Sequence, residues 1–409
     1  MAYTKKNFGH TKQGEVDSME ENTVKGNVLV IGNSGVGKST LINAVLGDDA
    51  AEAGSGSEGV TKELQVYEND LLPFRIIDTV GFEPSFWHRH SAIHATKKWS
   101  KDSVKEGNHD TQINLIWFCV DGTSRKLFRQ TIDSLSKATA MWPSVPVVVV
   151  ITKSYSVPER QENKAMVENV FSTQKTRKNL KGIIPVVAST YVLNESAYSA
   201  PDGITELIDK TNELLPEGFQ ATERDISSFK LSRKRVFAQS VVAVATTSGV
   251  IVGAVPIAFA DAAILVPAEV AEIKALAKVY GVENNEASKK FFNQIVEVGT
   301  VSTVAKSAIS ALKLIPGVNL GAAVLNAVIA GGIMAALGEG SIYAFEQIYI
   351  GNKSVNDLGW VTKVMESRLS TGFVEKISAA LGSIDGKMTA QRISEVISDL
   401  FATQNESKK

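Results

Sequence analysis

Short apolar runs alternate with longer mixed segments in the first half of the chain. The runs are 27–31, 74–77, 113–120, 145–151 and 183–187. Between them, apolar residues recur at helical spacing over 127–141, 159–171 and 204–215. Strands and helices repeated in this order predict an α/β fold, with a mostly parallel sheet covered by helices on both faces.

The pattern changes after Pro216. From Arg224 onwards, Ala, Val, Ile, Ser and Gly recur at helical spacing, and little strand-like alternation remains. We therefore predict an α/β domain over 24–220 and an all-α helical domain over 221–402. The polar ends, 1–23 and 403–409, are expected to be flexible tails.

Two segments of the second half, 236–260 and 314–338, contain no charged residue. Each exceeds the ~20 residues needed to cross a bilayer. The basic residues from Lys230 to Arg235 precede the first segment, as they often do on the cytoplasmic side of a membrane helix. Prolines and asparagines dilute both segments, however, and a helix buried on all sides of a soluble bundle is equally apolar. Membrane association and a soluble bundle both remain open.

Composition narrows the functional classes. The chain has 409 residues, of which 44% are hydrophobic and 21% charged, so a large core can form. Its formal net charge of -1 gives no basic excess, which argues against nucleic acid as a partner. The single cysteine, Cys119, lies in an apolar run and is expected to be a core residue. Without a disulfide framework or an apolar N-terminal leader, we expect a cytoplasmic protein, with the inner face of the cell membrane as the second location.

A glycine-rich motif follows the first apolar run directly. Gly32-Asn-Ser-Gly-Val-Gly-Lys-Ser-Thr40 matches GxxxxGK[ST], with a strand predicted before it and a helix after it. Glycines let successive backbone N–H groups face one anion, and the N-terminus of the helix favours the same phosphates. Lys38 is expected to reach the β- and γ-phosphates, and the Ser39 hydroxyl to bind Mg²⁺. The residues expected to contact nucleotide here are Asn33, Ser34, Gly35, Val36, Gly37, Lys38, Ser39 and Thr40.

A second motif, Asp78-Thr-Val-Gly81, ends the second apolar run. A carboxylate is costly inside a core but useful at the carboxyl edge of a sheet, where Asp78 would hold Mg²⁺ through water. The Gly81 amide would approach the γ-phosphate. Thr61, in the small-residue loop 48–61, is the hydroxyl expected to close onto Mg²⁺ and the γ-phosphate.

These motifs resemble those of the translation-factor-related P-loop GTPases, particularly the Era- and TrmE-like members. The resemblance covers about 24–216 and includes Thr152-Lys153 after the run 145–151 and, more weakly, Ala188-Ser189-Thr190. It implies a G-domain fold, GTP or GDP with Mg²⁺ as ligands, and GTP hydrolysis. Among the residues already named, it implies that Lys38, Thr61 and Gly81 act in catalysis.

The base-binding motif departs from this family. In the family, the motif [NT]KxD ends in an aspartate that accepts hydrogen bonds from guanine. In this chain the motif begins at Thr152, and Tyr155 takes the place of the aspartate. Thr152 would still brace the phosphate loop, Lys153 would lie along the purine face, and backbone amides at Ser189 would bind the guanine carbonyl. The lost contact to a charged acceptor is worth about 1.5–3 kcal/mol, so weaker guanine discrimination is expected and ATP stays open as a ligand.

Hydrolysis is expected to be slow without a partner. Phe82 follows Gly81, where Ras-like switches carry a glutamine that orients water. Glu83, or a residue from a second chain such as Arg89, could supply the missing group. We expect no metal at His88, His90 and His94, because no cysteine or acidic cluster joins them.

The second half has a resemblance of its own. Over roughly 236–350, the stretches 254–261, 280–281, 316–317 and 335–339 resemble a hydrophobic helical domain of unknown function that follows some bacterial GTPase domains. The layout alone is similar to that of immunity-related GTPases. The combined prediction is a nucleotide switch coupled to a membrane or protein partner, which could be an activating protein or a second copy. The alternatives are a nucleotide-gated membrane scaffold that oligomerises and, at lower rank, a ribosome-associated protein.

Overall fold

The computed structural model describes residues 25–47, 64–79, 112–124, 144–194, 197–254, 265–300, 303–313, 321–384 and 388–402. Several predicted features lie outside these ranges. They are Thr61, Gly81, Phe82, Glu83, Arg89, the histidine group, the helix over 127–141, both tails, and residues 255–260 and 314–320 of the uncharged segments.

Within these ranges, six strands form one sheet. In chain order they are β1 (Gly26–Gly32), β2 (Leu64–Glu68), β3 (Phe74–Thr79), β4 (Ile113–Asp121), β5 (Val147–Thr152) and β6 (Leu180–Pro185). Their order in space is β2-β3-β1-β4-β5-β6, and every neighbouring pair is parallel except β2 with β3. The predicted mostly parallel sheet is therefore confirmed, with one antiparallel edge strand that was not predicted.

Helices cover the sheet, and a small hairpin follows it. The described α-helices of this half are α1 (Lys38–Leu46), α2 (Val157–Ser172) and α3 (Ile204–Leu214), and the hairpin consists of β7 (Tyr191–Asn194) and β8 (Ala197–Ser199). Leu29, Ile31 and Phe118 on one face of the sheet pack with Val167 and Phe171 of α2. The short hairpin was missed because β7 is exposed throughout and shows no alternation of polar and apolar positions.

The second half is helical in its described part. Its helices are α4 (Glu223–Gly253), α5 (Val266–Tyr280), α6 (Glu286–Thr300), α7 (Thr303–Lys313), α8 (Ala322–Tyr349), α9 (Leu358–Arg368), α10 (Thr371–Ser383) and α11 (Ala390–Ala402). α8 packs against α4 and is further surrounded by α5, α9, α10 and α11. This confirms the predicted all-α character. The boundary proposed near 216–224 stays a prediction.

Small residues let α4 and α8 approach closely. A Cβ atom added at Gly253 would lie 2.7 Å from the Asn326 carbonyl oxygen and 2.7 Å from the Ala330 Cβ atom. One added at Gly331 would lie 2.5 Å from a methyl carbon of Val250. The glycines therefore set the distance between the two helices, and larger side chains would push them apart.

Both uncharged segments lie mainly in these two helices. Ile226–Gly253 and Ala322–Tyr349 are long and apolar enough to cross a membrane, but their most apolar stretches are 56% and 72% buried inside the protein. Length and composition are therefore weak evidence for a membrane span, because a core helix satisfies them equally.

The basic residues before the first segment bind protein groups, which the sequence did not indicate. α4 begins at Glu223, so these residues belong to the same helix as the segment. Four contacts involve them: Lys230 with Asp209, Arg233 with the Ala44 carbonyl, Lys234 with the Val279 carbonyl, and Arg235 with Glu346. Their role in the structure is to anchor α4 to α1, α3, α5 and α8.

Candidate functional site

The phosphate loop joins β1 to α1. Its glycines adopt left-handed backbone angles, with φ of 77° at Gly35 and 98° at Gly37. Side chains with a Cβ atom rarely adopt these angles, which explains the glycines of the motif. Gly37 is the N-cap of α1. The first N–H groups of α1 lack partners within the helix and can therefore bind an anion.

The Lys38 side chain folds back over this loop. Its Nζ atom donates hydrogen bonds to the carbonyl oxygens of Gly32 and Asn33, at 2.9 and 3.1 Å. The positive charge thus lies next to the N-terminus of α1. Ser39 and Thr40 follow in the first turn, and both are exposed. A loop with this backbone and charge fits a triphosphate.

Asp78 lies at the same edge of the sheet. It is level with Val30 in the register of β3 with β1 and is 8% exposed. The pKa of the Cys119 thiol is raised to about 12, chiefly by burial. The charge of Lys38 lowers this pKa, and the charge of Asp78 raises it further. Cys119 is buried, as predicted. The Asp78 carboxylate and the exposed Ser39 hydroxyl both offer oxygen atoms, which Mg²⁺ prefers as ligands. The third predicted ligand, Thr61, lies outside the described residues.

Thr152 and Lys153 connect β5 to the phosphate loop. The Thr152 Oγ1 atom lies 2.6 Å from the Val36 carbonyl oxygen and 3.0 Å from that of Val120. Lys153 donates to the Gly35 carbonyl oxygen at 2.8 Å and to Asp121 at 2.7 Å. Both side chains therefore hold the phosphate loop against the sheet.

Two loops meet next to the phosphate loop. We call residues 153–155 the β5 loop and residues 186–190 the β6 loop. The Ser154 N–H donates to the Val186 carbonyl oxygen at 3.1 Å, so the two loops are fixed to each other. Ser189, which was predicted to contact the base, is exposed on the β6 loop. Tyr155 stacks on Tyr191, with ring centroids 4.0 Å apart and planes 14° from parallel.

Sequence reasoning missed three residues around these loops. Asp121 ends an apolar run just as Asp78 does, so the same signal could have identified it. Tyr191 and Ser240 gave no sequence signal. The Oγ atoms of Thr190 and Ser240 lie 2.8 Å apart and share a hydrogen bond, which joins the β6 loop to α4.

Comparisons with known proteins agree with this geometry. Residues 27–153 match the family model described as 50S ribosome-binding GTPase. Similar proteins include GTPase Era of Lactobacillus helveticus, which is 28% identical over 49% of this chain and 58% of Era. The probable GTP-binding protein EngB of Desulfovibrio desulfuricans is 23% identical over 40% of this chain and 74% of EngB. Cell division control protein 10 of Saccharomyces cerevisiae is 25% identical over 36% of this chain and 52% of that protein.

The chain spans about half the length of the Era and cell division relatives. The residues that the family model matches lie in its N-terminal half. The matched region contains β1, the phosphate loop, β3, β4 and β5 with Lys153. The order of its strands and the conformation of its phosphate loop agree with the family match. The N-terminal half of the chain therefore has the fold of a P-loop GTPase domain, and the chain is similar in sequence to GTPase Era and the GTP-binding protein EngB.

Proposed function

We propose that the protein is a GTP-binding and GTP-hydrolysing switch whose helical half reports the nucleotide state to a partner. The observation that carries this proposal is the phosphate loop. It combines left-handed glycines, the N-terminus of α1 and the Lys38 ammonium at one sheet edge, with Asp78 on the neighbouring strand. The family match and the similarity to Era support guanine as the base.

In this proposal the chain itself binds, orients and neutralises the triphosphate. Lys38 would leave the carbonyls of Gly32 and Asn33 for the β- and γ-phosphates, and the N–H groups of α1 would donate to phosphate oxygens. Ser39, Asp78 and Thr61 would hold Mg²⁺, which when bound neutralises charge that develops on the phosphates. The Gly81 amide would contact the γ-phosphate.

Turnover is proposed to be slow. Phe82 cannot orient a water molecule by hydrogen bonding, so the group that does so would be Glu83 or would come from a second chain. An activating protein or a second copy, supplying a residue such as Arg89, would then raise the rate. The cytoplasm is the proposed location.

The contacts of α4 support coupling to the helical half. Arg233 donates to the Ala44 carbonyl oxygen of α1 at 3.0 Å, and Ser240 is bonded to the β6 loop. A shift of the phosphate or base loops would therefore act directly on α4 and, through its crossing, on α8. This is the physical route by which nucleotide state would reach a partner.

Calorimetric titration of the full chain with GTP tests the proposal. We expect Mg²⁺-dependent binding that is weakened by at least about a hundredfold in Lys38→Ala, because the main cation of the loop is lost. Lys175→Ala, at an exposed position near the end of α2, serves as the matched control and should bind as the wild type does. Equal GTP affinity in Lys38→Ala and wild type, with no effect of Mg²⁺, would refute the proposal.

A membrane scaffold is the second candidate, favoured by the two long apolar helices. Flotation of the full chain with anionic vesicles, with and without a non-hydrolysable GTP analogue, separates the two. Nucleotide-dependent flotation supports the scaffold. A soluble protein that only changes its state of association supports the switch, and co-sedimentation with ribosomes would favour the function named in the family model.

A further inference from the structure

The base end of the proposed nucleotide site is rigid in the described structure. Ser154 is 4% exposed, and its hydroxyl donates to the Ile151 carbonyl oxygen at 2.7 Å. Its N–H binds Val186, and the Val186 N–H donates back to Ile151 at 2.7 Å. The backbone before Tyr155 is thereby fixed to the β6 loop on one side and to β5 on the other.

Tyr155 and Tyr191 join the same two loops through their rings. Their near-parallel stack fixes the Tyr155 ring plane, because Tyr191 begins β7 directly after the β6 loop. Burial, as the largest cause, raises the pKa of Tyr155, so its hydroxyl keeps its proton at neutral pH. This hydroxyl can both donate and accept a hydrogen bond.

Asp121 cannot take over the acceptor role that an aspartate at position 155 would have. One of its carboxylate oxygens accepts from Lys153 at 2.7 Å, and the other accepts from the N–H and hydroxyl of Thr123 at 2.9 and 2.6 Å. Burial raises the pKa of Asp121, but these hydrogen bonds outweigh burial and lower it overall. The carboxylate is ionised, and both of its oxygen atoms already accept hydrogen bonds from groups of the protein.

Asp202 is committed as well. Its backbone pairs with Val187 of the β6 loop, and its carboxylate accepts from Arg160 and lies 3.2 Å from the Lys278 Nζ atom. Asp121 and Asp202 therefore both neutralise cations of the protein.

We propose that Tyr155, positioned by Tyr191, is the specificity-determining residue of the nucleotide site and gives it tolerance for both purines. This inference rests on the proposed nucleotide-binding function. A carboxylate only accepts hydrogen bonds, so it favours the N1–H and 2-amino group of guanine and repels the N1 lone pair of adenine. The tyrosine hydroxyl accepts from guanine N1–H or donates to adenine N1. Guanine and adenine nucleotides consequently compete for one site.

Titration of the full chain with GDP, ADP and inosine diphosphate, which lacks the 2-amino group, tests this. We expect wild-type affinities for the three to agree within about tenfold, because one neutral hydrogen bond discriminates little. Tyr155→Asp should raise the preference for GDP over ADP by about tenfold to a hundredfold, and for GDP over inosine diphosphate as well. Tyr155→Phe keeps the stacked ring and should weaken GDP and ADP to similar extents.

Tyr191 is a positioning residue, and its substitution has a distinct signature. In the Tyr155→Asp background, Tyr191→Leu should leave the GDP preference in place, because aspartate needs no stacked ring. In the wild-type background it should weaken both purines. Far-UV circular dichroism of each variant shows whether it is folded.

Two results distinguish a failure of this inference from a failure of the proposed nucleotide-binding function. If wild type prefers GDP over ADP by more than about a thousandfold and Tyr155→Asp leaves that ratio unchanged, the inference is wrong while nucleotide binding stands. If Lys38→Ala binds all three nucleotides as tightly as wild type does, the proposed function itself fails.

Discussion

Thr152 is a buried hydroxyl between two backbone carbonyls, and it is 2% exposed. Thr152→Val keeps the shape of the side chain but removes the donor shared by Val36 and Val120. We expect a loss of about 1–3 kcal/mol in the free energy of unfolding, together with weaker nucleotide binding. Urea denaturation and calorimetric titration measure the two effects.

The control for this change is Thr173→Val. The Thr173 hydroxyl also bonds a backbone carbonyl, that of Val170 at 2.9 Å, but in an exposed position where water can replace it. A loss in Thr152→Val no larger than that in Thr173→Val would show that the brace does not stabilise the phosphate loop.

Glu269 and Glu272 form a buried acidic pair on α5, and each is 0% exposed. Within the described residues, no hydrogen-bond partner is found for their carboxyl oxygens. Burial raises the pKa of Glu269 to about 8; burial, and then the charges of Glu269 and Glu339, raise that of Glu272. Glu269 therefore keeps its proton in the folded protein at neutral pH, and the pKa of Glu272 is shifted in the same direction.

The raised pKa of Glu269 makes stability depend on pH. Above its ordinary value of 4.5 the unfolded chain loses this proton while the folded chain keeps it until about 8. The free energy of unfolding should therefore fall as pH rises through this interval. Glu269→Gln should reduce that slope and raise stability at pH 8 by about 1–3 kcal/mol. Thermal unfolding at several pH values measures it, with the exposed Glu297→Gln as control; equal slopes in Glu269→Gln and wild type would contradict it.

At the scale of single residues, the sequence predicts what is local. The phosphate loop and Asp78 were identifiable because each occupies a fixed place after an apolar strand. Tyr191 and Ser240 were not, since their contacts with Tyr155 and Thr190 join positions 36 and 50 residues apart (191 − 155 and 240 − 190). The assigned roles of Thr61 and Gly81 stay predictions.

The crossing of α4 and α8 depends on residues without side chains. Gly253→Ala would place a Cβ atom 2.7 Å from the Asn326 backbone oxygen, which cannot move without shifting α8. We expect a loss of about 1–3 kcal/mol in the free energy of unfolding. Chemical denaturation of the full chain measures this loss.

Gly382 offers the matched control for that prediction. It also lies in a helix, α10, but an added Cβ atom would have no neighbour within 4 Å. Gly382→Ala should leave stability unchanged or raise it by about 0.5–1 kcal/mol, because alanine is the better helix former. Equal effects of the two substitutions would mean that the helix crossing tolerates a methyl group.

Elements with a strong period were predicted best. β1, β4 and β5 lie within two residues of their predicted bounds because continuous burial makes each an unbroken apolar run. β2 was missed because it is a short edge strand that contains the exposed polar residues Gln65 and Glu68. The early start of α4 was missed because its charged first half lacks the apolar character of the rest.

Within the described residues, one large apolar cluster extends across both halves of the chain. A single buried cluster runs from Val28 and Val45 of the nucleotide half through Phe229 and Phe237 of α4 to Phe401 of α11. The sequence predicted a domain boundary near 216–224 from a change in composition, and that boundary stays a prediction. Packing across the junction could not be anticipated, because the faces that meet are far apart along the chain.

This shared core predicts cooperative behaviour. Saturating the full chain with nucleotide at about a hundred times the dissociation constant should stabilise it by about 2.7 kcal/mol. We expect a single thermal transition that shifts as a whole, and slower amide hydrogen exchange in α8 as well as in α1. Two transitions, of which nucleotide shifts only one, would show that the halves unfold independently.

The 31-residue length of α4 has a consequence for any encounter with lipid. The helix is about 46 Å long. In its N-terminal half Arg233 contacts Ala44 of α1, and at its C-terminal end Gly253 lies at the crossing with α8. Inserting the apolar part of α4 into a bilayer would move the whole helix, and the Ala44 carbonyl would lose the hydrogen bond from Arg233. Insertion of α4 into lipid is therefore incompatible with the contact between α4 and α1 of the nucleotide half.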